Sequence, residues 1–232
     1  MNAATALSFE ALTGGYGDIT VVHNVSATLP LGGVLGIVGR NGTGKSTLLG
    51  LLSGHLSAKS GRIMLAGLDV TGVEPNRLRR TGLGYAPQEK VVFDELSVRE
   101  NLTLQYQSRS LDRYEAIFKR FPKFVDRLDQ QAGTLSGGEK KMLSFCRVMA
   151  EDTDVILLDE PSEGVQPENI EQMAIVINDA AREGRAIILV EQNLTLITAV
   201  AQEVIVIDHG ACVHHGYAGP GLRAELNERL HI

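Results

Sequence analysis

Gly39-Arg-Asn-Gly-Thr-Gly-Lys-Ser46 has the residue types and spacing to hold a polyphosphate. The run matches G-x-x-x-x-G-K-[ST]. Its glycines let the backbone curl until successive N–H groups point inward and form an anion nest. A helix starting near Lys45 would add the positive end of its dipole. Lys45 would neutralise charge on the β- and γ-phosphates, and Ser46 would place its hydroxyl on Mg2+. The nucleotide-binding set read here is Gly39, Arg40, Asn41, Gly42, Thr43, Gly44, Lys45, Ser46 and Thr47. A glycine-rich turn can match this pattern by accident. The apolar strand Val34–Val38 before it and the apolar-faced helix after it argue against accident.

A second signal is Val155-Ile-Leu-Leu-Asp-Glu160, an apolar strand ending in adjacent carboxylates. Neighbouring strand residues face opposite ways, so the two acids should have different tasks. Asp159 would hold Mg2+; Glu160 would orient and polarise an attacking water as general base. Alone, such a pair is usually an exposed turn, but a triphosphate loop needs a metal-binding carboxylate nearby. The third signal is Leu135-Ser-Gly-Gly-Glu139. Ser136 and Glu139 fit a capping box. Gly137 and Gly138 would also bare the backbone at a helix N-terminus, a second anion site. A chain with one phosphate loop needs that site only for a nucleotide held by a partner.

The elements that must position these groups alternate along the chain. Val34–Val38, Gly84–Ala86, Val155–Leu158, Ile187–Val190 and Val204–Ile207 read as short buried strands. Helices are expected at about 45–53, 167–183 and 194–200. This alternation predicts a mainly parallel sheet with helices on both faces. Residues 7–29 are β-rich, with Ile19–Val22 the clearest segment, and 97–150 read as helical, opened by the Ser97–Glu100 capping box. The expected fold is α/β: a P-loop NTPase, RecA-like core with an antiparallel β subdomain and a helical subdomain. As one domain of 232 residues, 1–90 and 151–232 form the core and about 91–150 the helical part. A short amphipathic helix is expected from Pro220 to Ile232.

Composition narrows the classes. A net charge of −6 disfavours a nucleic-acid-binding surface. Cys146 and Cys212 make no disulfide framework, and each reads as a small buried apolar residue. Residues 1–6 lack a basic start and an apolar run, so no signal peptide is expected, and no stretch of about 18 apolar residues is present to span a bilayer. His214-His215 reads as an exposed pair rather than a metal site.

In order and spacing, the phosphate loop, Gln88 after Tyr85-Ala-Pro, Leu135–Glu139 and Asp159-Glu160 resemble the nucleotide-binding subunits of ABC transporters over almost the whole chain. The resemblance implies a two-lobed fold, ATP and Mg2+ as cofactors, and ATP hydrolysis. It implies that Tyr16 stacks on adenine and that Gln88 senses Mg2+ and the transmembrane partner. The signature Leu135, Ser136, Gly137, Gly138 and Glu139 would meet the γ-phosphate bound by the opposite subunit. The implied assembly is a head-to-tail dimer, homo- or heteromeric, on two permease subunits, served by a periplasmic or surface binding protein and lying on the cytoplasmic face of the membrane.

Three positions depart from the family pattern. Val190-Glu-Gln-Asn193 puts Gln192 where a switch histidine is usual, Gln166 stands where aspartate is commoner, and the signature continues with Lys140-Lys141 rather than the usual glutamines and arginine. Glutamine donates a hydrogen bond but carries no proton or charge, so fast turnover is not implied. The Val-Glu-Gln-Asn run, Phe121-Pro122 and Glu160-Pro-Ser-Glu-Gly-Val-Gln-Pro167 resemble the ATPases of branched-chain amino acid and amide importers. The alternatives are a lipid-exporter ATPase or a soluble, non-transport ABC ATPase.

Overall fold

The computed structural model describes residues 4–230. The chain opens with two long strands, β1 (Thr5–Tyr16) and β2 (Ile19–Pro30), paired antiparallel across a tight turn. β2 runs well past the Ile19–Val22 segment expected from sequence. Register shifts in the pairing break the inside-outside alternation, so its apolar signal is irregular. β3 (Val34–Val38) and α1 (Lys45–Leu52) follow, and Ser53 closes the helix. β4 (Ala58–Leu65) and β5 (Leu68–Asp69) complete an antiparallel sheet of order β2-β1-β4-β5.

Then come α2 (Pro75–Arg80) and β6 (Leu83–Ala86). The stretch expected to be helical breaks into α3 (Val98–Thr103), α4 (Glu115–Arg120) and short 3-10 turns around Pro122 and Gly133 before α5 (Gly137–Met149). Proline removes an amide donor and stops a helix from continuing. The remaining elements are β7 (Val155–Asp159), α6 (Pro167–Arg182), β8 (Ala186–Val190), α7 (Leu194–Val200), β9 (Glu203–Asp208), β10 (Ala211–Tyr217) and α8 (Leu222–Leu230). The expected tail helix is α8, and its last two expected residues, 231–232, lie outside the described residues.

The second sheet has the order β10-β9-β3-β8-β7-β6, parallel except at the β10–β9 edge. It is buried on both faces, which explains strands that read as unbroken apolar runs. Val34, Val38, Ile156, Leu158, Ile187 and Leu189 face one core with α5, α6 and α7. Leu35, Ile37, Val155, Leu157, Ile188 and Val190 face the other, against α1 and the antiparallel sheet. The period of two in a strand assigns each residue to its side. Cys146 is buried as expected, whereas Cys212 is exposed, because β10 is an edge strand with one uncovered side. No helix among the described residues is long and apolar enough to cross a membrane.

Arg185 ties α5 to the sheet. Its guanidinium donates to the carbonyl of Met149, the last residue of α5, at 2.6 Å, and to those of Glu151 at 3.0 Å and Thr153 at 2.8 Å in the connection that leads to β7. Arg185→Ala strands these acceptors and is expected to lower the unfolding free energy by about 2–3 kcal/mol. Urea denaturation should show a lower midpoint at constant slope; an unchanged midpoint would remove Arg185 from this role.

Candidate active site

Parallel strands send their C-terminal ends to one edge of the sheet, where ligands of open α/β sheets collect. Here β3 delivers the phosphate loop, β7 delivers Asp159-Glu160, β8 delivers Glu191-Gln192 and β6 delivers Gln88. Four segments far apart in sequence therefore meet because of strand order alone.

The loop between β3 and α1 is fixed by its own hydrogen bonds. The Arg40 carbonyl accepts from the Thr43 hydroxyl at 2.9 Å and from Lys45 Nζ at 3.0 Å, and the Gly44 carbonyl accepts from the Leu48 amide at 2.9 Å. Gly44 has φ +103°, a conformation that side chains disfavour, and it turns the chain into α1. The Arg40 side chain turns away to the Leu230 carbonyl at 3.3 Å, so Arg40 serves the loop through its backbone. Gly39 and Gly42 flank this turn, and Thr47 is buried within α1.

Ser46 donates its hydroxyl to Asp159 Oδ1 at 3.1 Å. Burial first of all raises the Asp159 carboxyl to about 6, Glu160 adds to the rise, and the Ser46 hydroxyl and Lys45 oppose it. Lys45 Nζ lies 3.5 Å from Glu160 Oε1, with both side chains no more than 5% exposed. Gln88 Nε2 donates to Glu160 Oε2 at 3.0 Å and to Glu163 at 3.4 Å. Gln192 Nε2 is 3.2 Å from each Glu160 oxygen and also bonds the Asn41 side chain. The predicted Lys45, Gln88 and Gln192 thus all converge on Glu160.

Glu160 itself has φ +46°. This left-handed conformation costs a non-glycine residue about 1–3 kcal/mol and persists only where the surrounding structure holds it. The turn also ends the strand alternation, so Asp159 and Glu160 part company by a change of backbone rather than by pleating alone. The Glu160 amide donates to the Val190 carbonyl at 2.9 Å, and its own carbonyl accepts from Lys141 Nζ at 3.2 Å. Lys141 reaches Glu163 as well, at 2.9 Å.

The signature residues gather at the start of α5. Ser136 and Glu139 form the predicted capping box, and Glu139 pairs with Arg127 at 2.6 Å. Leu135 is buried beneath them. Gly137 faces open space, whereas a Cβ on Gly138 would collide with the Gly164 carbonyl and come within 3.3 Å of Val165. The signature is therefore packed against the loop that follows Glu160 but contacts none of the phosphate-loop residues through the hydrogen bonds described. Tyr16 ends β1, is 55% exposed, and lines with Ser46, Tyr85, Gln88 and Asp159 a cleft of about 1270 Å3. Sequence reasoning missed Lys141 and Glu191 as parts of the site. Lys141 was legible only as a departure from a family pattern, and Glu191 only as part of a four-residue run.

A phosphate nest opening beside a hydroxyl and two carboxylates, on a parallel sheet, defines a P-loop ATPase. The family model described as "ABC transporter" matches residues 22–163, and the chain belongs to that family. It is similar to the high-affinity branched-chain amino acid transport ATP-binding protein BraG of Pseudomonas aeruginosa, at 36% identity over 90% of this chain and 91% of that one. The probable branched-chain amino acid transport ATP-binding protein LivF of Archaeoglobus fulgidus shares 31% identity over 94% and 95%. The lipopolysaccharide export system ATP-binding protein LptB of Escherichia coli shares 29% over 97% and 96%. A solved ATP-binding cassette of an ABC transporter in its ADP conformation superposes with TM-score 0.82 over 97% of this chain and 96% of that one, at 24% identity. The chain is accordingly an ATP hydrolase of the ABC type, with the expected fold.

Lys141→Ala removes the one side-chain donor that reaches the Glu160 carbonyl among the described residues. It is expected to lower the ATPase kcat about tenfold, the scale for groups that orient a reacting side chain. Nucleotide affinity, read by fluorescence titration, should stay within about twofold, since Lys141 touches no phosphate-loop atom. Unchanged turnover would make Lys141 a surface cation only.

Proposed function

We propose that the chain is the ATP-binding and hydrolysing motor of an ABC importer for branched-chain amino acids or for urea and short amides. The catalytic half of this reading rests on one observation: Lys45, Gln88 and Gln192 meet the Glu160 carboxylate where the phosphate loop opens. The importer half is supported by the likeness to BraG along nearly the full length of both chains.

Gly39 to Thr47 cradle the triphosphate, with backbone amides and Lys45 taking its negative charge. Tyr16 stacks on the adenine from the cleft wall. Mg2+, bound with the triphosphate, supplies charge neutralisation and orientation of the phosphate oxygens. The Ser46 hydroxyl and Asp159 carboxylate, in contact with each other, are hard oxygen donors suited to that ion. The Gln88 nitrogen points to Glu160, which leaves its carbonyl oxygen to serve the cation. Glu160 orients and deprotonates the attacking water, and Gln192 holds that carboxylate by an uncharged donor.

Residues 1–90 and 151–232 act as the ATP-binding core and about 91–150 as a helical subdomain that presents Leu135–Glu139 to the nucleotide of a second ATPase subunit. Two permease subunits hold the dimer at the cytoplasmic face of the membrane, and a periplasmic or surface protein delivers the substrate. The likeness to LptB favours one second reading, an exporter ATPase.

Glu160→Gln is expected to keep ATP binding, abolish hydrolysis and accumulate a dimer on size exclusion with ATP and magnesium. Turnover near that of the parent would remove Glu160 from the base role. Lys45→Ala, or chelation of magnesium, should abolish measurable ATP turnover; full activity in either case would sink the site assignment. The transport reading is checked by mild-detergent co-purification with permeases encoded nearby. Association with amino-acid or amide permeases supports the importer, and association with lipid-export permeases replaces it.

A further inference from the structure

Glu191 is a buried carboxylate to which the mechanism above gives no task. It is 2% exposed and sits where three segments of the site join. Its amide donates to the Ile37 carbonyl at 3.1 Å, at the end of the strand that feeds the phosphate loop. Its Oε1 accepts the Ser162 amide at 2.8 Å, two residues past Glu160. Its Oε2 accepts the amides of Gln192 at 3.1 Å and Asn193 at 3.2 Å. Burying a carboxylate is costly unless hydrogen bonds replace its hydration, and backbone amides do so here on both oxygens. An apolar residue would fill the space without that cost. What the carboxylate adds is a link between the two loops beyond the last backbone bond of the β7–β8 ladder, from the Glu160 amide to the Val190 carbonyl.

We propose that Glu191 is a positioning residue that sets Gln192 against the catalytic carboxylate of Glu160. One of its oxygens fixes the loop that carries Glu160, and the other fixes the backbone from which the Gln192 side chain extends. The Gln192 amide then stands 3.2 Å from both Glu160 oxygens, with little freedom for either loop to drift. A displacement of about 1 Å can cost about a hundredfold in rate. The inference rests on the role given to Gln192 above.

Glu191→Gln tests it with little change of shape. Whichever way the new amide turns, its NH2 faces one set of N–H donors, so one loop loses its anchor. The ATPase kcat of Glu191→Gln is expected to fall about tenfold, with the KM for ATP within about twofold, because the phosphate loop keeps its own bonds. The decisive comparison is the double variant with Gln192→Ala. If Glu191 acts through Gln192, the double variant turns over within about twofold of Gln192→Ala alone. Should Gln192→Ala slow turnover and Glu191→Gln still multiply that loss in full, the positioning role falls while the site reading stands. If Gln192→Ala is silent, the role of Gln192 falls and this one with it. Glu191→Asp keeps both acceptors on a shorter stem and is used in the same cycle where Glu191→Gln does not fold. It is expected to lose less kcat than Glu191→Gln, and full additivity with Gln192→Ala would equally overturn the proposal.

Discussion

An ammonium and a carboxylate, Lys45 and Glu160, face each other at 3.5 Å with almost no access to water. Such a pair is weak evidence for stability, since desolvation can exceed the Coulombic gain. Its geometry instead explains what surrounds it. Glu160 lies beyond the end of β7 in a strained backbone conformation, and Lys45 begins the helix after the phosphate loop. Neither could be held there by local structure alone. The parallel order of β3, β8 and β7 sets the distance between their ends, and two buried apolar clusters keep that order rigid. Under the proposed function, a triphosphate entering the loop competes for Lys45 and leaves the Glu160 carboxylate to the neutral donors Gln88 and Gln192.

Much of the frame is written locally. Val34–Val38 and Leu194–Val200 were bounded to the residue, because an apolar run buried on both faces and a short capped helix carry their own limits. Both capping boxes were legible for the same reason: a serine and a glutamate three residues on satisfy each other without help from the rest of the chain. The segment between Ser97 and Gly137 is less uniform than its helical pattern suggests. Its turns are set by Pro122 and Gly133 and by contacts with distant elements, such as Gly133 against Asp94. The exposure of Cys212 follows from strand order, which local hydropathy does not encode.

The site divides along the same line. Lys45, Ser46, Asp159 and Glu160 stand in motifs whose chemistry is self-evident from type and spacing. Gln88 and Gln192 took their meaning from a family resemblance, and the structure brings both to one carboxylate. Lys141 and Glu191 were silent because their bonds join residues 19 and 29 positions away through backbone atoms. A backbone carbonyl or amide has no identity in the sequence, so a side chain that grips one leaves no motif.

The glutamine at 192 changes what the site can do with a proton. A histidine at this distance from Glu160 would titrate near neutral pH and compete for its charge. The Gln192 amide offers the same carboxylate a donor that never ionises. The charges close to Glu160 are then the Lys45 ammonium and, through Glu163 and the Glu160 carbonyl, the Lys141 ammonium. Gln192 thus adds a donor without charge to a residue that already meets one lysine at its carboxylate and another at its backbone carbonyl.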